Sequence, residues 1–294
     1  LKKDRISFPP LAVFFLFKAF IKSNTLKTRI NIFIRFDFYG FLKYFRQDCK
    51  FQFKTQTGGF MFIDQYYLIL VVPAIIISLF AQFKVKSTFS KYSKIASKRG
   101  ISGAQAAQLL LRANDITDVS IEHVSGNLTD HYAPTQKVLR LSDSVYSKTS
   151  IAAIGVAAHE TGHAIQHARN YAPLWLRSAI VPIASFGSRF GPLLAILGLG
   201  FGYGSSSGIG NILIELGLIL FGCSVLFTLI TLPVEFNASR RAINILRQTG
   251  TLTEAELKDT KKVLSAAAMT YVASALTAIA SFLRILLIAR NRRR

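Results

Sequence analysis

Residues 157–163 read Ala-Ala-His-Glu-Thr-Gly-His, so His159, Glu160 and His163 form an H-E-x-x-H pattern. Two histidines four apart project from one face of a helix, and neutral imidazoles at that separation can both reach one zinc ion. The glutamate between them lies beside the water that such a metal activates. Histidines on a helix can also be ordinary partners of nearby carbonyls. Here the surrounding residues are small and apolar, and a glutamate among them is costly to bury without a role.

A catalytic zinc takes a third protein ligand and keeps one position open. The metzincin continuation asks for a glycine and a histidine further on, but Gln166 and Arg169 occupy those positions, which excludes that class. His167 repeats the four-residue spacing. On a straight helix it lies about 12 Å along the axis from His159, too far for both to share one ion.

The elements that must position these residues follow from hydropathy. Residues 66–83 carry no charge and are long enough to cross a bilayer, and Lys84, Lys86, Lys91, Lys94, Lys98 and Arg99 follow at once. The positive-inside rule puts what comes next in the cytoplasm. Residues 61–83 therefore read as a first membrane helix and 84–179 as a cytoplasmic zinc-peptidase domain. Within that domain, 102–113 reads as a helix capped by Ser102, 116–124 and 137–141 as strands, and 150–168 as a buried helix carrying the motif. Two apolar stretches, 190–203 and 212–232, form a membrane hairpin within 180–232. The chain then returns at Pro233 to the basic side of Arg240, Arg241 and Arg247. Residues 233–270 supply a further segment with a capped helix from 252. Residues 271–294 form an apolar helix with a basic tail, read as packed on the others or lying at the interface so that the tail stays cytoplasmic.

On this arrangement Glu235, just after the hairpin, returns to the face where the motif helix lies and is the better third ligand. It could instead simply pair with Arg240 or Arg241. Asn237 is placed to orient a ligand. For the oxyanion, His131, Tyr132, His167 and Tyr171 are all candidates, while Arg189 and Glu215 read as interfacial.

These residues carry a resemblance. The stretches Lys84-Val85-Lys86-Ser87, Leu128-Thr129-Asp130-His131-Tyr132, Val138-Leu139-Arg140-Leu141-Ser142, Val156-Ala157-Ala158-His159-Glu160 with Gly162-His163-Ala164, and Leu232-Pro233-Val234-Glu235-Phe236-Asn237-Ala238-Ser239 resemble the neutral zinc metallopeptidases of bacterial membranes, the YugP-type family. Ala133 departs from the pattern, where an acidic residue is expected. The resemblance implies a mainly α, multi-pass protein of the bacterial plasma membrane with three or four apolar helices. It also implies a small α+β gluzincin-like zinc domain facing the cytoplasm. In such proteins His159, His163 and Glu235 look like the zinc ligands and Glu160 the general base for hydrolysis of a protein or peptide substrate. Residues 138–142 would offer a sheet edge to which substrate adds as a strand.

Composition constrains the rest. The chain has 294 residues, 51% of them hydrophobic, and a formal charge of +21, with a mean hydropathy of +0.36. That excludes a disordered or collagen-like chain. Basic residues cluster beside apolar segments, where anionic lipid accounts for them and no nucleic acid is needed. Cys49 and Cys223 lie in unlike surroundings and imply no disulfide framework. A non-catalytic zinc scaffold is the alternative function. A structural site, however, commonly fills its fourth position with cysteine, and Cys223 lies inside an apolar segment. Residues 1–60 hold 12 basic side chains and 13 of the 24 phenylalanines without helical or strand period. With Gly58 and Gly59 just ahead of Met61, whose codons can read as a ribosome-binding site, 1–60 is expected to be leader from an over-extended gene model or else a basic tail.

Overall fold

In the computed structural model, residues 64–201 and 208–292 are described, all within one unit, Phe60–Arg294. The expectation for residues 1–60 lies outside the described residues. What is described is mainly helical, with one small mixed sheet.

The first membrane helix, α1, opens with a π-helical turn, Tyr67–Val71, and continues as Val72–Tyr92. The Asp64 carboxylate accepts from the Tyr67 N–H at 2.8 Å and closes its start. Helix α2, Gly103–Arg112, begins at a reciprocal cap in which Ser102 accepts from the Gln105 N–H and the Gln105 side chain accepts from the Ser102 N–H. Strands β1 (Ser120–Val124), β2 (His131–Ala133) and β3 (Val138–Ser142) follow. They lie in the order β1-β3-β2, with β1 parallel and β2 antiparallel to β3.

That order corrects one expectation. Strand β3 is central, with β1 on one side and β2 on the other, so residues 138–142 present no edge to a substrate. Four of its five residues are buried, because the strand lies between two others and Leu139 and Leu141 pack against Ala153 and Ala157. Strand β2 is only three residues long and too short to show a period, yet it takes the position beside β3 that the sequence left open.

Helix α3, Ile151–Ala168, carries the H-E-x-x-H motif and is capped by the Ser150 hydroxyl. It is buried on nearly every side. Ala153 and Ala157 pack with Leu139 and Leu141 of the sheet. Ile154, Ala158 and Ile165 pack with Leu110 of α2, with Ala242 and Leu246 of the next long helix but one, and with Leu257 and Leu264 of the last.

The hairpin helices outrun their hydropathy. Helix α4 spans Ala172–Phe201 and α5 spans Gly208–Gln248. Helix α5 passes straight through Pro233, although proline removes a backbone hydrogen bond there. Glu235 therefore stands on the same rigid helix as the apolar stretch rather than in a segment after it. Helix α6, Glu254–Arg292, joins the capped start and the last apolar stretch into one rod, about 58 Å long at 1.5 Å per residue.

Among the described residues four helices, α1, α4, α5 and α6, are long and apolar enough to cross a membrane. Helix α6 runs antiparallel to α1. Lys262 and Val263 meet Tyr92 at one end. At the other, Arg284 pairs with Asp64 at 2.7 Å and Asn291 donates to the Tyr66 hydroxyl. The end of α6 thus lies beside the start of α1, away from α3, and not on the α3 side as expected for the tail. A rod of this length packed along α1 cannot end where it began.

Candidate metal centre

His159 and His163 stand one turn apart on α3 with their rings edge to face, centroids 4.8 Å apart. Helix α5 crosses α3 at Gly162. A Cβ there would come within 2.6 Å of the Ala238 carbonyl, so only glycine permits this approach. The crossing lays Glu235, nearly one turn earlier on α5, against both imidazoles. Its Oε2 is 3.2 Å from His159 Nε2 and 3.5 Å from His163 Nε2. The three candidate ligand atoms all lie within 4.8 Å of one another. The side chains are 14%, 11% and 3% exposed, so His159 is the most accessible of the three.

The remaining polar atoms of the trio are tied to the protein. Ser239 Oγ lies 3.1 Å from His159 Nδ1. Gln166 Nε2 donates to the Val234 carbonyl at 2.8 Å and to Asn237 Oδ1 at 3.0 Å. Its Oε1 is left to accept from His163 Nδ1 at 3.0 Å. Arg241 Nε, which can only donate, also bonds Asn237 Oδ1 at 2.7 Å and so fixes the direction of this chain. In the neutral imidazole of His163 the Nε2 lone pair therefore points at Glu235. On the other side, Arg177 Nη1 of α4 bonds Glu235 Oε1 at 3.1 Å, and Tyr271 of α6 lies near the same carboxylate.

Charge follows geometry. Burial alone pushes the His163 imidazole down, but the carboxylates of Glu235, 3.5 Å away, and of Glu160 outweigh that, so its pKa is raised. Glu160 is itself buried. Two imidazole nitrogens and one carboxylate oxygen converge here, each residue's second polar atom held by a protein partner. That is the donor chemistry of a three-ligand zinc site with an open fourth position, and these residues suit the ion.

The oxyanion candidates each have a protein partner. His131 Nδ1 bonds the Thr129 carbonyl, Tyr132 bonds His167 Nδ1 at 2.8 Å, and Tyr171 lies under the Arg241 guanidinium. Arg241 pairs with Asn237, and the arginine at Glu235 is Arg177. Arg189 stands about 18 Å along α4 from Arg177, and Glu215 about 30 Å along α5 from Glu235. Reading the sequence missed Arg177, Tyr271, Ser239 and the part played by Gln166. The last two had a signal: Gln166 is three residues from His163 and Ser239 four from Glu235, the spacings that share a helical face.

Residues 67–290 match the family described as "Putative neutral zinc metallopeptidase". A Bacillus subtilis (strain 168) protein named "Putative membrane protease YugP" is 48% identical over 227 residues, covering 77% of this chain and 98% of that relative. No solved structure matches.

Proposed function

This chain belongs to the neutral zinc metallopeptidase family, and on that premise we propose that it is a membrane-bound endopeptidase whose zinc is held by His159, His163 and Glu235, with Glu160 as general base. The convergence of those three side chains carries the reading. When bound, zinc supplies a Lewis acid that polarises a scissile carbonyl and brings the pKa of water towards about 7.

The protein's own groups do the remainder. Gln166 and Ser239 hold the two rings with Nε2 turned to the metal position. Arg177 engages Glu235 Oε1 and leaves Oε2 for the metal. A Glu160 carboxylate oxygen accepts the proton of the attacking water and delivers it to the leaving amine nitrogen. Glu160, His163 and Glu235 are buried and His159 is half-buried, which limits the access of bulk water to that transfer. The zinc-bearing unit, 84–179 with 233–270, faces the cytoplasm, supported by Lys84, Lys86, Lys91, Arg240, Arg241 and Arg247 beside the membrane helices.

The test is metal dependence. Chelator-stripped protein in detergent is expected to lose casein or peptide cleavage and to regain it with about one zinc per chain. Undiminished cleavage by metal-free protein would overturn the proposal.

A further inference from the structure

The depth of the metal centre can be read by counting along the helices. Tyr271 of α6, near Glu235, lies two residues, about 3 Å along the axis, from Met269. Met269 shares a groove with Lys84 of α1, the first charge after the uncharged run 66–83. On α5, Glu235 itself ends an uncharged run, 216–234. On α4, Arg177, bonded to Glu235, precedes the next uncharged run, 178–188. Three membrane helices thus change from apolar to charged at the level of the metal centre.

The outer surface changes there too. Phe80 and Phe83, at the end of the α1 run, are 64% and 70% exposed, a surface suited to lipid. Trp175, two residues before Arg177, is 72% exposed and is the chain's one tryptophan. Tryptophan concentrates where bilayer meets water, because its ring is apolar and its N–H needs a wet partner.

We infer that the metal centre sits at the membrane–water boundary and that the substrate is a membrane-anchored polypeptide, cut in the juxtamembrane stretch that emerges from the bilayer. This rests on the peptidase reading above. To reach Glu160, a peptide bond must lie at headgroup depth. A chain tethered in the same bilayer holds its emerging residues at that depth and at high effective concentration. A soluble peptide has to partition there first.

The experiment uses the full zinc-loaded chain in phosphatidylcholine–phosphatidylglycerol vesicles. One peptide sequence is presented unanchored, or on a transmembrane anchor in three registers: inside the span, within about four residues of it, and roughly 20 residues out, up to about 70 Å of extended chain. The juxtamembrane register is expected to be cut at least about tenfold faster than the other three. Equal or faster cleavage of the distant, intramembrane or unanchored forms would overturn the inference and leave the peptidase reading standing. Cleavage of none of them by protein with its zinc in place would overturn the peptidase reading, and the inference with it. Depth is measured separately, without turnover, by quenching Trp175 fluorescence with spin-labelled lipids. Strongest quenching by labels near the headgroup is expected. Strongest quenching by labels near the acyl end, or none, would refute the placement.

Discussion

The candidate ligands come from two helices built on opposite terms. Helix α3 buries 14 of its 18 residues, so it has no free face on which to shift. Helix α5 buries 13 of 41 and shows Ile219, Leu226 and Leu229 on its outer surface, so its position is set by the helices it packs against, α4, α6 and α3. The first holds its two histidines at a spacing that the helix itself guarantees. The second brings Glu235 to them only because α5 meets α3 at Gly162. Half of the centre is thus local in sequence, and half depends on packing.

Substitutions that separate the two helices sharpen this contrast. Glu160→Gln on α3 should lower kcat by roughly 10²- to 10⁴-fold and leave zinc in place. Glu235→Ala on α5 should lose zinc itself, by more than the roughly 10- to 100-fold typical of removing a ligand's outer partner. Metal content measured beside peptide cleavage distinguishes them, and full activity in Glu160→Gln would break the assignment. Gln166→Leu removes the group that orients His163 and bonds Val234 of α5. Zinc affinity should fall roughly 10- to 100-fold in a competition titration with a chelator.

The helix crossing can be strained without touching a ligand. Gly162→Ala forces its Cβ onto the Ala238 carbonyl and should cost about 1–3 kcal/mol in thermal unfolding. Gly200→Ala on α4 meets nothing within 4 Å and should be neutral or stabilising by up to about 1 kcal/mol. Equal behaviour of the two variants would remove Gly162 as the point that sets the register of α5.

The smallest effect belongs outside both helices. Asp143 accepts from the Gly126 N–H at 2.8 Å and lies 2.7 Å from His123 Nε2, and these contacts hold its carboxyl below the ordinary range. Its contribution to ordering the β1–β2 turn is full above the unfolded carboxylate pKa, near 3.9, and is lost as pH falls through its own lower value. The protection of the Gly126 amide, its hydrogen exchange relative to the unstructured rate at the same pH, should fall below about pH 4, and Asp143→Asn should show the lower protection at neutral pH. Zinc content should not change in that variant.

Legibility in the sequence follows the same division. The motif helix, the helix capped by Ser102 and the apolar runs are contiguous patterns; the first two appear where they were read, and the apolar runs fall on longer helices. Strand β2, the central position of β3 and the course of α6 along α1 are not contiguous patterns. The same holds for the centre. Arg177 and Tyr271 lie 58 and 36 residues from Glu235, and no spacing rule connects them.

By itself the sequence determined that two imidazoles and a glutamate share one helix, because 3.6 residues per turn makes that a matter of spacing. It also determined which stretches could enter a membrane, because length and the absence of charge suffice for that. The sequence pointed to Glu235 as the third ligand, but only the tertiary structure brought its carboxylate against those imidazoles and Arg177 against it. Those contacts arise where separate helices cross, and close packing of small residues such as Gly162 is what sets the crossing.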